Sequence, residues 1–408
     1  MNDASKTGFG GSARSAGRTP NSRFPRRLSG WALLAATLGV VSGCGTTSSV
    51  QSPSASASTP ATSGVSTAEK NVAALEAPVT FTPAGPQITV GNRLDGKSIY
   101  AVVNGISYPF VQSMLNGLKQ AAAALGMTVT AVDGNGSAST AANLIEQGVA
   151  EKASVIVVES FPAEQIAASL QEAKAAGIPV IELTSRDPQL PTTALKNIGV
   201  SAIDSFCYSC AGQQMADYAV ANTDGHLDAV LFDVPEIGVS SLEKNGFISE
   251  VKKLCPTTCK VTTVEAPLAQ WSTELPSLTT SALQRDPNVN FLVPEYDSMV
   301  QIMAPAVSAA QATTVKVVSY NGTQPALTML SEGQLVAGDV GGMNTWLGWA
   351  AADQVARVLT GNPPVVTDIP DRIFTSSNIS SINISAGETT WYGNIDLAAS
   401  YEEQWGLG

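Results

Sequence analysis

The 408-residue chain carries 22 basic and 34 acidic residues, one His, five Cys and 44% apolar residues. That length is enough for about two domains with sizeable cores, which excludes a wholly disordered chain. Six basic residues and one acid, Asp3, fall in residues 1–43, so the remaining 365 residues hold 16 basic and 33 acidic groups, a balance of −17. A body so acidic repels nucleic acid and anionic membrane surfaces. A single imidazole, His226, excludes multi-His metal sites and argues against Ser-His-Asp or Cys-His catalysis.

Residues 1–43 read as an export signal. Arg23, Arg26 and Arg27 precede an eleven-residue apolar run, Trp31–Val41, followed by Ser42-Gly43-Cys44. The run is shorter than the ~20 residues a membrane-spanning helix needs. Val41-Ser42-Gly43-Cys44 resembles the bacterial lipobox, in which the Cys becomes the lipid-carrying mature N-terminus; an ordinary cleaved signal followed by an incidental Cys is the alternative. Pro25 and Ser29 flank Arg26-Arg27 without the rest of a twin-arginine motif. Residues 44–90, rich in Ser, Thr, Ala, Gly and Pro, bury too little apolar surface to offset ordering entropy and are expected to be a disordered tether.

From Lys97 the pattern alternates. Ile99–Val103 is a short apolar run, and Pro109 opens a helical pattern through Leu125 that Gly126 closes. A strand over Met127–Val132, a helix over Ser139–Val149, a strand over Ser154–Val158, a helix over Pro162–Ala176 and a strand over Ile178–Leu183 follow. A second series places helices over Ser209–Ala221, Ser241–Lys253, Thr273–Arg285 and Ser298–Gln311. Its strands are His226–Phe232, Lys260–Val264, Asn290–Val293 and Val315–Ser319. Strands alternating with helices of this length predict two doubly wound, parallel α/β lobes, with the ligand crevice at the carboxyl ends of the strands.

Ser107–Val111, Gly177–Leu183, Asn245-Gly-Phe247, Asp286–Phe291, Tyr296-Asp297 and Val317–Gly322 occur in an order and spacing that resemble the periplasmic sugar-binding proteins of the ribose-binding type. These are the type I solute-binding proteins of ABC importers. The resemblance covers about residues 97–370, and Tyr401–Leu407 looks like the tail of actinobacterial members. It implies two lobes joined by a three-strand hinge, the first comprising residues 91–203 and 343–372 and the second 204–342 and 373–408. Carried over by position, the ligand contacts of the family fall on Tyr108 and Phe110, on Thr184 and Ser185 where the family has an acid and an Arg, and near Ser241 where it has an Arg. The distal stacking aromatic falls on Trp271, the Asn-Asp pair on Tyr296-Asp297, the Asp-Gly acid on Asn321, and the last-hinge Gln on Gly341 or Gly342.

The aromatic clamp is thus kept while charged groups that grip aldose hydroxyls are replaced by Thr, Ser, Tyr and Asn, which points to a neutral solute: a polyol, a modified sugar or a small ring compound. Taken alone, Phe110 at a helix start reads as core, and Trp271 fits lobe packing as well as a cleft; their places after strands put them in the cleft. Cys207, Cys210, Cys255 and Cys259 are expected to form disulfides in an exported protein. Three connectivities are open, close neighbours being favoured, and a zinc or redox Cys-x-x-Cys site is the competing reading. Gly134-Asn-Gly136 and Gly341-Gly342 lack the rest of a nucleotide-binding motif, and Asp286, Glu295 and Asp297 read as loop and cleft acids rather than a catalytic pair. No cofactor, metal or catalytic residue is implied. The expected protein is a monomeric lipoprotein outside the cell membrane, held by lipid only, that delivers a small carbohydrate-like solute to an ABC permease. The alternative is a sensor presenting that solute to a membrane receptor or kinase.

Overall fold

In the computed structural model, which describes residues 60–407, the first element is a helix, α1 (Pro60–Leu75), set where composition predicts a disordered tether. That expectation fails because composition averages over position. Gly64, Ala68, Asn71 and Leu75 recur at helical spacing and share one face. Ala68 is fully buried, Asn71 Nδ2 donates to both carboxylate oxygens of Asp217 at 3.1 Å, and a Cβ on Gly64 would stand 1.8 Å from the Leu254 carbonyl oxygen. Further on, the Ile88 and Val90 amides donate to the Gln404 and Trp405 carbonyls at 2.9 and 3.0 Å. The tether reading is therefore corrected for residues 60–90; the export segment, Cys44 and residues 45–59 lie outside the described residues.

The first lobe alternates β1 (Ser98–Val103), α2 (Pro109–Ala124), β2 (Thr128–Asp133), α3 (Ala138–Ala150), β3 (Val155–Glu159), α4 (Ala167–Ala175), β4 (Val180–Leu183), α5 (Thr193–Ile198) and β5 (Val200–Asp204). The five strands are parallel in the order β2-β1-β3-β4-β5. All five residues of β3 are buried, as a parallel strand covered on both faces requires. Its four Val and Ile residues each contribute ~1.5–3 kcal/mol by burial. Its last residue, Glu159, runs against that economy, because an enclosed carboxyl costs free energy. The helix expected from Pro162 begins only at Ala167; Pro162–Gln165 form a turn, with the Ala163 amide donating to Glu182 Oε1 at 2.9 Å.

The second lobe runs α6 (Tyr208–Ala221), β6 (Asp228–Asp233), α7 (Ser240–Leu254), β7 (Lys260–Glu265), α8 (Trp271–Arg285), β8 (Phe291–Pro294), α9 (Asp297–Ala309), β9 (Lys316–Tyr320), α10 (Gln324–Ser331) and β10 (Val336–Gly342). The chain then returns to the first lobe as α11 (Asn344–Thr360), rejoins the second sheet as β11 (Asp371–Thr375), antiparallel to β10, and ends in α12 (Leu397–Gln404). The second sheet has the order β11-β10-β9-β8-β6-β7. α11 lies so close to α2 that a Cβ on Gly117 would stand 2.1 Å from the Thr345 oxygen, and one on Gly348 would stand 2.2 Å from the Met114 oxygen. Cys207 and Cys210 meet at the start of α6 with Cα atoms 5.1 Å apart. Cys255 and Cys259 meet after α7 at 5.6 Å, so sequence neighbours pair rather than the two segments.

The C-terminal tail packs on the first lobe, not on the second as expected from sequence. Trp405 stacks on Trp349 of α11 at 5.8 Å and its Nε1 donates to Asp353 Oδ1 at 2.8 Å. Tyr401 joins the same stack, 5.8 Å from Trp349 and 5.5 Å from Trp405. The chain passes between the lobes at residues 205–207, 343 and 361–370, the hinge, and twice more outside it. Arg372 Nε donates to the Glu76 carbonyl at 3.1 Å on the second lobe, while Arg357 Nη2 of the first lobe donates to the Ala84 and Pro86 carbonyls at 2.9 and 3.0 Å. Residues 76–86 thus strap one lobe to the other, and residues 376–396 cross between β11 and α12.

Candidate binding cleft

The carboxyl ends of both sheets face one small cavity that both lobes line. The first lobe contributes Asn104 just after β1, Tyr108, Phe110 and Val111 at the start of α2, and Glu159 and Ser160 at the end of β3. The second contributes Tyr208, Ile237, Val239, Leu268, Trp271, Tyr296, Ser298 and Asn321, most of them in loops after strands. Tyr108 and Trp271 meet across the lobes with ring centroids 5.9 Å apart, and Tyr296 lies 6.4 Å beyond Trp271. The Trp271 indole N–H donates to the Ala266 carbonyl at 2.9 Å, which fixes the ring and leaves it only its faces and edge. At the rim, a Cβ on Gly238 would stand 2.6 Å from Pro162 Cγ and one on Gly136 2.9 Å from Leu268 Cδ2, so the lobes touch there.

Glu159 sits at the floor, 1% exposed. Its Oε2 accepts the Asn104 amide at 2.8 Å, and its Oε1 accepts the hydroxyls of Ser160 at 2.5 Å and Thr184 at 3.3 Å. Burial pushes its carboxyl up, against the pull of these donors. Ser160 and Thr184 hold φ of 56° and 52°, the left-handed region; for a β-branched Thr that is a strained conformation, of the kind that gathers at functional sites.

Of the nine residues that sequence reasoning placed at the site, the structure brings Tyr108, Phe110, Trp271, Tyr296 and Asn321 to the cavity wall. Phe110 also packs on the hinge residue Phe206, centroids 6.5 Å apart. The other four stand elsewhere. Thr184 is fully buried behind Glu159, and Ser185 is buried with its hydroxyl donated to the Leu183 carbonyl at 3.3 Å. Ser241 is exposed on the first turn of α7; its neighbour Ser240 takes the inward place, donating to Asp233 at 2.9 Å. Asp297 lies beneath the wall, its oxygens taken by Ser319 Oγ at 2.6 Å and by the Thr323 amide and hydroxyl at 2.8 and 2.7 Å; burial pushes it up to about 6. At the last hinge, a side chain on Gly341 would meet the Gly322 amide at 2.5 Å and one on Gly342 the Phe206 ring at 2.2 Å, so no ligand-contacting side chain fits there. Asn104, Glu159, Ser160, Tyr208 and Leu268 were not anticipated, although the rule that sites follow strand ends points at the first three. Among the described residues no three His, Cys, Asp or Glu side chains converge as metal ligands, and no helix is long and apolar enough to cross a membrane.

Residues 99–363 match the model of the periplasmic binding protein domain. The chain belongs to that family. It is similar to a D-apiose import binding protein of Actinobacillus succinogenes, 27% identical over 216 residues, which are 53% of this chain and 66% of that relative, just under two thirds of its length. Among solved structures, an ABC transporter solute-binding protein of Agrobacterium vitis with bound allitol aligns over 71% of this chain and 98% of its own, at 19% identity and a TM-score of 0.61. One of Mycobacterium smegmatis with bound glycerol aligns over 70% and 96%, at 20% identity and a TM-score of 0.61. These likenesses establish the type I periplasmic binding protein fold, two parallel-sheet lobes around a cleft.

Proposed function

We propose that the protein captures a small carbohydrate-like solute, a sugar, polyol or related neutral compound, between its lobes outside the cytoplasm and delivers it to the permease of an ABC importer. The observation that carries this reading is the meeting of Tyr108 and Trp271, from opposite lobes, over a cavity that both lobes line. A site shared in this way is complete only when the lobes are closed, so a solute that fills it stabilises closure. The D-apiose, allitol and glycerol named for similar proteins agree with aromatic faces set among hydroxyl and amide groups. Binding rather than catalysis fits the carboxyls: Glu159 and Asp297 spend their oxygens on the amides and hydroxyls of buried neighbours, and no His stands at the cavity to relay a proton.

In this reading Cys44 carries lipid and holds a monomeric body at the outer face of the membrane, and Cys207–Cys210 and Cys255–Cys259 are disulfides. Calorimetry with D-apiose, allitol, glycerol and myo-inositol tests the function. Saturable binding of at least one compound, recovered unchanged, is expected; turnover, or no binding by any of them, refutes the reading. Mass spectrometry of membrane-extracted protein tests the anchor, which requires an acylated N-terminus at Cys44.

A further inference from the structure

The cavity and the mouth outside it differ in chemistry. Asn104, Tyr108 and Leu268 line both and form the wall between an inner and an outer compartment. The outer one is polar, with Ser107, Asp133 and Asn135 from the first lobe and Glu236 from the second. Asp133 is held in place by the Ile106 amide at 3.2 Å and the Asn135 amide at 2.8 Å, and it keeps lone pairs for further hydroxyls. The inner compartment presents aliphatic side chains from both lobes, Val111 from the first and Ile237 and Val239 from the second.

On the first-lobe side of the inner compartment, the polar side chains behind the wall are already hydrogen-bonded. Glu159 accepts the Asn104 amide and the Ser160 and Thr184 hydroxyls, and Ser160 Oγ also meets Thr184 Oγ1 at 2.9 Å. Phe110 and Val111 are what remains there for a solute to touch. Ser298 and Asn321 offer polar groups only from the second lobe. Asn104 Oδ1, buried and without a partner among the described residues, stands at the dividing wall, where it can accept a hydroxyl. The C–H faces of any sugar suit aromatic rings. A hydroxyl turned to an aliphatic wall, in contrast, is buried without a partner and costs binding free energy.

We infer that the preferred solute is a sugar or polyol capped at one end by a small apolar group, a deoxy or O-methyl terminus. The cap is seated in the inner compartment among Phe110, Val111, Ile237 and Val239, and the hydroxyls are directed to Asn104 and the polar mouth. This rests on the solute-binding reading above and narrows its solute to an end-capped one.

Matched triplets decide it: glucose, 6-deoxyglucose and methyl β-glucoside; galactose, 6-deoxygalactose and methyl β-galactoside; ribose, 5-deoxyribose and methyl β-ribofuranoside. Each is titrated calorimetrically into the purified protein. The tightest binder should be a capped sugar, about tenfold tighter than its parent, from the added apolar contact and the hydroxyl no longer stranded. Val111→Thr keeps the shape of the wall and puts a hydroxyl in it, and should cut that preference to about threefold or less. Should this variant fail to fold, Ile237→Thr, in a half-buried turn, should do the same. A preference undiminished in the folded variant overturns the inference. So does a parent that binds as tightly as both of its capped derivatives, and either result leaves the carbohydrate-binding function standing. No binding by any of these compounds overturns both.

Discussion

Trp271 and Tyr108 illustrate how a side chain can be nearly buried and still belong to a site. Trp271 is 5% exposed, packed on one side by Tyr296 of its own lobe and on another by Tyr108 of the other lobe. Removing either ring should weaken solute binding by ~2–4 kcal/mol. Because the rings touch, the double variant should lose less than the sum. Calorimetry on Trp271→Ala, Tyr108→Ala and the pair reads both effects; normal binding with a collapsed Tm would make Trp271 a core residue. The titration of buried acids gives a second expectation. Burial pushes Glu295 up to about 8 and Asp371 and Glu388 up to about 7. Each therefore holds its proton in the folded protein at a pH where the unfolded chain has lost it. The stabilisation is complete below the ordinary carboxyl range and disappears as pH rises through the folded values, so Tm should fall between about pH 5 and about pH 8. A Tm that rises over that window contradicts the assignment. Tyr108, Phe110, Trp271, Tyr296 and Asn321, set in the loops and helix starts that follow strands, were legible in the sequence. Glu159 was not, because an acid ending a run of Val and Ile looks like the loop that follows, and Ser241 for Ser240 is a slip of one residue that no spacing rule can prevent on a helix start.

At the level of elements, the contact of α2 with α11 has no room for a methyl group. Gly117→Ala or Gly348→Ala would drive a Cβ into backbone carbonyl oxygens and should cost ~1–3 kcal/mol, read as a lower denaturation midpoint at unchanged slope. The same interface holds the hinge: Glu388 accepts the Thr345 amide at 3.1 Å and the Asn344 amide at the first turn of α11. The cysteine pairs close loops with sequence separations of only three and four, so reduction should lower Tm modestly and leave solute binding intact, whereas a thiol titre above zero in the untreated body would show them unpaired. Alternation of strands and helices was legible because each βα unit carries its own hydrophobic spacing. The later elements were not. β10 contains three glycines and α11 is buried on nearly every side, which erases both the period of two and the period of 3.6, and α5 and β5 are too short to show either. α1 stayed hidden for another reason: its apolar face is built of Gly, Ala and Asn, small enough to lie against α6 and α7 and too polar in composition to look like a core.

For the whole molecule, two segments beside the hinge tie together bodies that must part for a solute to enter. A three-strand hinge bends at a few residues; here the strap of residues 76–86 must also stretch or slide, because its ends are pinned by Arg372 on one lobe and Arg357 on the other. Opening then does work against hydrogen bonds that lie far from the solute, and the unliganded protein should remain near its closed shape. Entry and spontaneous leakage would both be slow at an affinity set by the cleft alone, since a brace acting on the barrier leaves the end states less changed than the rates between them. Cutting the brace with Arg372→Ala, which removes the donor to the Glu76 carbonyl, together with Glu76→Ala, which frees Thr375 and Ser377, should widen the solution radius of gyration without solute and speed dissociation about as much as association. Unchanged rates would show the strap to be a passenger. If the rates do rise together, the braced protein is a vessel that keeps its cargo between encounters and depends on the transporter, rather than on thermal opening, to let it go.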